Sequence, residues 1–380
     1  MTGPADRPDL AEMRLADLEQ FLLGLGEDRF HARQIFRWLY KRGVSDFGRM
    51  SDLSKGLRAT LERELAVSTP RVVGRERSSD GTEKLVLEVG GPPPSPGAAD
   101  ADARPAPAHP PARRIESVFI PDTPAMTFCI STQVGCAMGC AFCLTGKMGL
   151  VRHLTAGEIV GQVRVLAQTL SLLDTRFNIV LMGMGEPLHN YDETMKALAI
   201  LSDSSGFAVS PRRVTLSTVG LVPALDRLAT EPFMPNLAIS LHATTEEQRS
   251  RLVPLNRKYR IEDVIEACRR FPVKRRDRIT FEYVLLEGVN DAPDDARRLV
   301  RLLSGIRAKV NLIPLNEAAG IPFARPSDAR VDAFARVLAD HHLTVSVRKS
   351  RGRDIRAACG QLLVEGQRPS PAQRLAGAMG

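Results

Sequence analysis

The stretch 127–146, T-F-C-I-S-T-Q-V-G-C-A-M-G-C-A-F-C-L-T-G, begins as a short apolar strand and continues as a loop with three cysteines. Cys136, Cys140 and Cys143 have the CxxxCxxC spacing, which predicts a four-iron four-sulfur cluster held through three of its irons. A cluster that only transfers electrons is normally closed by a fourth thiolate. The iron without a protein ligand therefore indicates a reacting site, and we expect S-adenosylmethionine (SAM) to bind there through its amino and carboxylate groups.

Zinc, disulfides and inert buried thiols are the alternative uses of the same cysteines. Structural zinc needs a fourth ligand and usually takes its ligands from CxxC or H-x-H pairs. His153 could serve, but it lies ten residues after Cys143 and has no partner motif. Disulfides do not persist in a reducing cytosol, and the sequence M-T-G-P-A-D-R-P-D-L at the start has no hydrophobic secretory segment. The spacing therefore favours the cluster.

Composition narrows the class of protein and its partners. The 380 residues are 43% hydrophobic, which suffices for a large domain with a smaller one. No apolar run approaches the roughly 20 residues that span a bilayer, so we expect a cytoplasmic protein without a membrane segment. The net charge of +8 favours a polyanionic partner such as nucleic acid, although an arginine-rich composition would give the same charge without one.

Outward from the cysteine loop, the chain after residue 122 alternates strands with helices. The residues 155–170 open with a T-x-x-E capping box formed by Thr155 and Glu158 and predict an amphipathic helix. Repeated β-α units predict a partial (β/α)6-type TIM barrel over residues 122–363, with polar groups at the carboxyl ends of its strands. The candidate strands are 127–131, 177–182, 213–216, 236–241, 278–285, 309–313 and 344–347.

Two smaller units precede the predicted barrel. Helical spacing of apolar residues between 15 and 65 predicts a small helical accessory domain over residues 1–68, whose basic and aromatic residues could bind RNA or form a solvated helix face. Residues 69–121 predict a β-hairpin extension, with strands at 84–89 and 114–120. Its Pro/Ala-rich insertion at 90–112 is expected to be disordered, and 364–380 to be a flexible tail.

Ordered motifs carry a family resemblance. The three cysteines with Phe142, followed after the next strand by G-M-G-E-P, resemble the radical SAM enzymes. The segments I-E-S-V-F-I-P, C-I-S-T-Q-V-G-C, S-L-H-A-T, L-I-P-L-N and R-G-R-D-I-R-A-A-C-G-Q-L narrow the likeness to the bacterial adenine-C2 methyltransferases of large-subunit ribosomal RNA and transfer RNA. H-A-R-Q-I-F-R-W-L-Y near the start extends it to the accessory domain of that family.

The resemblance implies roles for thirteen residues. It implies that Cys359 is methylated, that Cys129 is its thiol partner and that Glu116 accepts a proton. Cys136, Cys140 and Cys143 correspond to the cluster ligands. The positions that bind SAM correspond to Gly185, Glu186, Ser217, Ser240, Leu241, His242 and Asn316. Taken singly, each residue could equally be an ordinary turn, strand-end or core residue, and Cys268, without a motif around it, is interpreted as core.

The resemblance also implies the cofactors, the partners and the reaction. One 4Fe-4S cluster per chain and two SAM molecules per turnover are expected. An external electron donor such as flavodoxin is expected, with ribosomal RNA and transfer RNA as substrates of a monomer. A basic stretch of five residues beside Cys359 is a second candidate for gripping RNA. It consists of Arg348, Lys349, Arg351, Arg353 and Arg356.

In the implied reaction, Cys359 is methylated first, a radical derived from SAM activates that methyl group, and adenine C2 receives it. Release leaves a disulfide between Cys359 and Cys129 that a reductant must reopen. Two alternatives stay open: a sister enzyme that methylates carbon 8 of the same adenosine and confers antibiotic resistance, and a non-catalytic RNA-binding relative.

Overall fold

The computed structural model describes residues 7–90, 112–121, 126–274 and 277–364. Apart from their boundary residues, the predicted insertion at 90–112 and the predicted tail at 364–380 lie outside these ranges.

Ten strands form one sheet, and two further strands form a separate pair. In the large sheet the order is β1-β2-β3-β4-β7-β8-β9-β10-β11-β12, and β5 pairs with β6. The strands are β1 (Arg71–Arg77), β2 (Glu83–Val89), β3 (Arg113–Ile120), β4 (Thr127–Cys129), β5 (Gln133–Cys136), β6 (Gly149–His153), β7 (Asn178–Leu181), β8 (Val214–Thr218), β9 (Asn236–Ser240), β10 (Ile279–Leu285), β11 (Ala308–Pro314) and β12 (Thr344–Val347).

Helices cover the outside of the sheet and build the N-terminal unit. The helix α2 continues into one π-helical stretch, Arg37–Lys41. The helices are α1 (Leu15–Gly24), α2 (Phe30–Phe36), α3 (Lys55–Glu64), α4 (Leu144–Met148), α5 (Ala156–Thr169), α6 (Tyr191–Ser202), α7 (Val222–Leu228), α8 (Glu246–Leu252), α9 (Ile261–Arg270), α10 (Pro293–Leu302) and α11 (Asp328–Asp340).

The predicted α/β class and partial barrel are confirmed. From β4 to β12 all neighbouring strands are parallel, and each predicted strand coincides with one of them. The parallel part contains seven strands because β12 adds to the six-strand core. The antiparallel strands β1, β2 and β3 continue the same sheet beyond β4, so the extension is a wing of the barrel rather than a separate sheet.

Three of the strands, β1, β5 and β6, were not predicted. β1, R-V-V-G-R-E-R, lies at the sheet edge with mostly exposed side chains, so it has no alternation between an apolar and a polar face. β5 and β6 have four and five residues, too few to establish a period. By contrast, the capping box is present as predicted: Thr155 Oγ1 accepts from the Glu158 amide at 3.2 Å, and the Glu158 carboxylate accepts from the Thr155 amide at 3.0 Å.

The N-terminal helices pack on the outer helices of the barrel. Arg164, fully buried in α5, donates to the carbonyl of Ser68 and to Thr69 Oγ1, both at 3.1 Å. The ring of Tyr40 lies 5.6 Å from that of Phe207, centre to centre. One hydrophobic core therefore runs from the N-terminal unit into the barrel. Within the described ranges, no helix combines the length and apolar character needed to cross a bilayer.

Candidate active site

A cavity of about 130 Å³ opens where the parallel strands end. The wall is formed by the cysteine loop, the ends of β7, β8, β9, β10 and β11, and the C-terminal segment. Ten of the thirteen predicted site residues line it: Cys136, Cys140, Cys143, Gly185, Glu186, Ser217, Ser240, His242, Asn316 and Cys359. The structure therefore gathers residues that lie up to 223 positions apart in the chain.

The cysteine loop is held between β5 and α4. Cys136 ends β5, and Cys143 is the residue before α4, with its amide donating to the Cys140 carbonyl at 3.1 Å. Gly135, at φ +77°, lies so close to β6 that a Cβ atom there would be 1.9 Å from the Gly149 carbonyl oxygen. A glycine is therefore required for β5 and β6 to close beneath the loop.

The three thiols face an environment that opposes their ionisation. Burial raises the pKa of Cys136, Cys140 and Cys143, and neighbouring thiols raise that of Cys136 and Cys140 further. Thiolate ligands at this position therefore require a bound cation to compensate the charge. Across the described ranges, no three His, Cys, Asp or Glu side chains surround a point where a single ion would sit.

The G-M-G-E-P segment packs directly against the strand that leads to the cysteine loop. A Cβ atom on Gly183 would lie 2.7 Å from Ile130 backbone atoms, and one on Gly185, at φ +108°, 2.7 Å from Gln133. The amide of Glu186 donates to Gln133 Oε1 at 2.9 Å. Because Gly183 and Gly185 have no side chains, their backbone forms a concave part of the cavity wall, which we call the glycine cradle.

Glu186 is a buried carboxyl group with two amide donors. Its Oε1 accepts from the Leu188 amide at 3.0 Å and its Oε2 from the Val219 amide at 2.9 Å. Burial raises the pKa of Glu186 to about 7, although these amides act in the opposite direction. A cationic group bound in the cavity, such as the SAM ammonium or sulfonium, would stabilise its ionised form.

Polar groups at the carboxyl ends of β8 and β9 complete the same wall. Ser217 Oγ and Ser240 Oγ lie 3.3 Å apart on neighbouring strands. His242, at φ +60°, accepts the Val284 amide on Nδ1 at 3.1 Å, and burial lowers its pKa to about 3, so its ring is neutral. Leu241 is fully buried and does not line the cavity, and its amide and carbonyl bond Glu282 and Arg249.

Asn316 joins the cavity wall to Cys359. Its Nδ2 donates to the Cys359 carbonyl at 3.4 Å, and its buried Oδ1 has no hydrogen-bond partner in the described structure. A buried acceptor without a donor is costly, so the group suits a ligand that donates a hydrogen bond. With the glycine cradle and the three thiols, the residues present fit both a cluster and a polar, cationic nucleoside cofactor.

The two cysteines of the implied methyl relay lie around one arginine. Cys359 is exposed and lines the cavity, whereas Cys129, at the end of β4, is buried and does not line it. The guanidinium of Arg348 interacts electrostatically with both thiols and with Glu282. Burial raises the pKa of Cys129 to about 12. All six cysteines are free thiols here, so a disulfide between this pair is not a feature of the structure.

Comparison with known proteins supports the assignment that this geometry suggests. The family model described as the radical SAM superfamily matches residues 130–302, and that of the N-terminal domain of ribosomal RNA large subunit methyltransferases matches residues 8–67. The dual-specificity RNA methyltransferase RlmN of Pelobacter propionicus is 46% identical over 94% of this chain and 96% of its own. Its namesake from Geobacter sulfurreducens is 48% identical over 93% and 91%.

This chain belongs to the RlmN family of radical SAM enzymes. The resemblance inferred from the sequence motifs is thus confirmed. A solved structure described as a radical SAM methyltransferase from Sphaerobacter thermophilus superposes with a TM-score of 0.84 at 44% identity, covering 93% of this chain and 99% of that one. Membership of the superfamily implies a 4Fe-4S cluster and SAM as cofactors.

Glu116 lies apart from the RlmN-family cavity described above. It lines a second cavity of about 390 Å³ between the β1–β3 wing and the C-terminal segment. Its carboxylate is buried, 3.2 Å from Lys84 Nζ, and accepts the Leu363 amide at 2.7 Å. The structure therefore does not place the predicted proton acceptor on the same wall as the predicted SAM residues.

Sequence reasoning did not single out four residues that shape this RlmN-family site. Gln133 holds the G-M-G-E-P segment in place by accepting a hydrogen bond from the Glu186 amide. Arg249, which is fully buried, donates to the carbonyls of Val219 and Leu241, just after the ends of β8 and β9. Arg348 was interpreted only as part of a basic RNA-binding stretch, and Lys84 only as the start of a strand. Gln133 stands within C-I-S-T-Q-V-G-C, which was a usable signal, whereas charge type alone does not reveal a buried cation.

Proposed function

We propose that this RlmN-family protein methylates carbon 2 of an adenosine in large-subunit ribosomal RNA, and of transfer RNA as a second substrate. The observation that carries the proposal is the exposure of Cys359 to the cavity lined by the three cluster cysteines, with a second thiol, Cys129, interacting with it. RNA methylation is also the activity that the names of the relatives state.

The chemistry of the base explains why a thiol carrier is needed. Adenine C2 lies between two ring nitrogens and is electron-poor, so it does not attack an electrophilic methyl group. A cysteine sulfur does, and Cys359 is the thiol at the cavity wall that can accept methyl by substitution. When bound, the cluster and SAM would supply the radical chemistry that activates this methyl group on Cys359.

Cys359 and Cys129 then have complementary roles. Cys359 carries the activated carbon to C2, so that base and protein are joined through the sulfur. The adduct then loses the ring proton and one electron, for which the bound cluster would be the acceptor. The Cys129 sulfur next attacks the Cys359 sulfur. The S–S bond forms, the S–C bond breaks, and its electron pair, with a proton, completes the new methyl group. We assign the ring proton to Glu116, which lines the neighbouring cavity and is joined to the Cys359-bearing segment through the Leu363 amide.

The remaining wall residues act as binding groups for the nucleoside cofactor. Glu186 suits its ammonium, the cradle at Gly185 admits it closely, and the Asn316 Oδ1 acceptor suits a hydroxyl or amine donor. We expect one cluster per chain and two SAM molecules per turnover, one to methylate Cys359 and one to generate the radical. Flavodoxin is the expected electron donor, and the protein is expected to act as a monomer.

Product analysis tests the proposal. Anaerobically reconstituted protein, given SAM, reductant and an unmodified ribosomal RNA fragment, should yield 2-methyladenosine by nucleoside mass spectrometry. Cys359→Ala should yield none, because the methyl carrier is missing. Cys268→Ala is the matched control: Cys268 is a buried thiol in α9 that does not line the cavity, so product should persist.

Three outcomes would contradict the assignment. Finding 8-methyladenosine alone would assign the protein to the carbon-8 sister activity. Product from Cys359→Ala would refute the methyl-cysteine route. Binding of RNA without any SAM cleavage would favour the non-catalytic alternative.

A further inference from the structure

Lys84 is a buried cation that contacts both the predicted proton acceptor and the segment carrying Cys359. Its Nζ donates to the Ile355 carbonyl at 2.7 Å and lies 3.2 Å from Glu116 Oε1 and 3.1 Å from Glu76 Oε1. The side chains of Lys84 and Glu116 are 6% and 5% exposed. The three donors of the ammonium therefore each have an acceptor, and no water is needed to satisfy them.

The two members of this pair hold the C-terminal segment on either side of Cys359. Lys84 bonds the carbonyl of Ile355, four residues before Cys359, and Glu116 bonds the amide of Leu363, four residues after it. Lys84 on β2 and Glu116 on β3 are diagonal neighbours, since Lys84 lies opposite Val118 and Glu116 opposite Val86. Because they form an ion pair, one contact fixes both flanks of the segment. The position of Cys359 relative to Glu116 thus depends on Lys84, which lines the second cavity but not the cavity that holds the predicted cofactor residues.

We propose that Lys84 is a positioning residue that holds Glu116 and the Cys359-bearing segment in one frame, so that ring-proton removal acts on the base that Cys359 carries. This inference rests on the proposed function. In the step concerned, the ring C–H bond breaks, its electrons stay in the ring and the proton passes to a Glu116 carboxylate oxygen. Lys84 itself neither donates nor accepts a proton in this step.

The charges around Glu116 determine the expected pH dependence. Burial raises the pKa of Glu116, whereas Lys84 and the Leu363 amide lower it. Other charged groups lining the cavity are Glu76 on β1, Arg114 on β3, and Asp354 and Arg356 in the C-terminal segment. Burial and the charge of Glu76 both raise the pKa of Glu116, and Lys84 is the nearest cation that opposes them. Without the Lys84 ammonium, more of the Glu116 carboxyl is therefore protonated at a given pH. A protonated carboxyl cannot accept the ring proton.

Lys84→Met tests both halves of the proposal. In the reconstituted holoenzyme, the acid limb of 2-methyladenosine formation should move to higher pH by about one unit, giving about tenfold less product on that limb. The covalent protein–RNA adduct should accumulate there, while methylation of Cys359, followed by peptide mass spectrometry, should change less than about threefold. Hydrogen exchange of the peptide containing Leu363 should accelerate, because its amide loses a fixed acceptor.

Conservative and matched variants separate positioning from folding. Lys84→Arg should restore the pH profile, and Lys84→Gln, which keeps a donor but no charge, should keep the shift. Arg71→Met is the control: Arg71 is a cation of the same wing, 71% exposed and paired with Glu88 at 2.6 Å, and its loss should leave the profile unchanged.

An unmoved acid limb with unchanged exchange in Lys84→Met or Lys84→Gln would overturn the proposal. If even the wild-type protein forms no methylated RNA, the proposed function has failed, and the exchange measurement alone decides whether Lys84 holds the segment. If Lys84→Met does not fold, Lys84→Gln and Lys84→Arg give the same comparison.

Discussion

Cys129, the thiol that we propose attacks the Cys359 sulfur, is buried. It lies opposite Val118 on β3, and its charge interacts with Cys359 and Arg348. With a pKa of about 12 it is a poor nucleophile at rest. The resolving attack therefore requires the thioether on Cys359 to be activated, which keeps Cys129 from reacting early with other electrophiles.

We predict that Cys129→Ala traps a covalent protein–RNA adduct. Cys359 can still carry the methyl group to the base, but no second sulfur is available to break the S–C bond. A slow-migrating band that contains both protein and labelled RNA on a denaturing gel is the measurement. Treatment of wild-type protein under the same conditions is the comparison, and equal amounts of band in the two would contradict the resolving role.

Gly185 is predicted to tolerate no side chain. In Gly185→Ala, a Cβ at φ +108° would approach Gln133 to 2.7 Å, which displaces the segment that carries Glu186. We expect SAM affinity, measured by equilibrium dialysis, to fall at least about tenfold because the cradle loses its shape. Gly288→Ala is the control, since Gly288 also has a positive φ, +65°, but open space around it. It should cost about 1 kcal/mol of stability and leave SAM binding intact. Equal affinity in both variants would refute the cradle.

At the scale of elements, the sequence predicted the strands and helices whose apolar residues follow a regular pattern. The parallel strands and α5 were predicted because buried strands are apolar runs and the capping box at Thr155 has a fixed spacing. The edge strand β1 and the short pair β5–β6 carry no such period. Three cysteines and the G-M-G-E-P segment identified the cavity wall, but its shape depends on buried partners such as Gln133 and Arg249, whose charge or polarity looks like surface in a sequence.

The turn between β1 and β2 anchors the C-terminal segment through Asp80. Its Oδ2 accepts the Gly352 amide at 3.0 Å and its Oδ1 the Thr82 amide at 2.9 Å. Burial opposes the charged form, but these amides and the hydroxyls of Thr82 and Ser78 outweigh it and lower the pKa of Asp80 to about 2. The ionised Asp80 carboxylate therefore ties the wing to the segment that leads to Cys359, and we call its contacts with Thr82 and Gly352 the Asp80 clasp.

The clasp has a predicted pH dependence. The folded pKa lies below the ordinary value of 3.8, so the stabilisation is complete above pH 3.8 and is lost as the pH falls towards about 2. Asp80→Asn should lower the free energy of unfolding at neutral pH by about 1 kcal/mol, allowing for partial exposure. Urea unfolding should show the two proteins converging below about pH 4. A constant difference across that range would show that ionisation of Asp80 is irrelevant.

At the scale of the whole molecule, the N-terminal unit shares its core with the barrel while keeping a charged outer surface. Trp38 and Tyr40 are buried in that core, whereas Arg33 and Arg37 are exposed one helical turn apart. The unit is thus fixed relative to the cavity mouth by Arg164 and its partners. An RNA bound there would be presented to Cys359 in a defined orientation, as base extrusion requires.

We predict that Arg33→Gln with Arg37→Gln weakens RNA binding through lost phosphate contacts. The slope of log affinity against log salt should fall by about 1 to 2, and the loss should not depend on RNA sequence. Arg301→Gln with Arg336→Gln removes the same charge from exposed positions on α10 and α11 and is the control. Filter binding over a salt series is the measurement. Equal slopes for the two double variants would show that only net charge matters.

Because β2 and β3 pair continuously, the connection between them is a suitable place to attach a fluorophore or affinity tag. From Glu83 opposite Phe119 to Val89 opposite Arg113 the register has no shift, with Glu116 opposite Val86 in between. The chain between Gly90 and Ala112 therefore joins two strands whose alignment the ladder already sets, and lengthening such a connection costs only about 0.6 kcal/mol per doubling. A fluorophore or affinity tag attached there would follow RNA docking by energy transfer or surface capture without disturbing the register that sets Glu116.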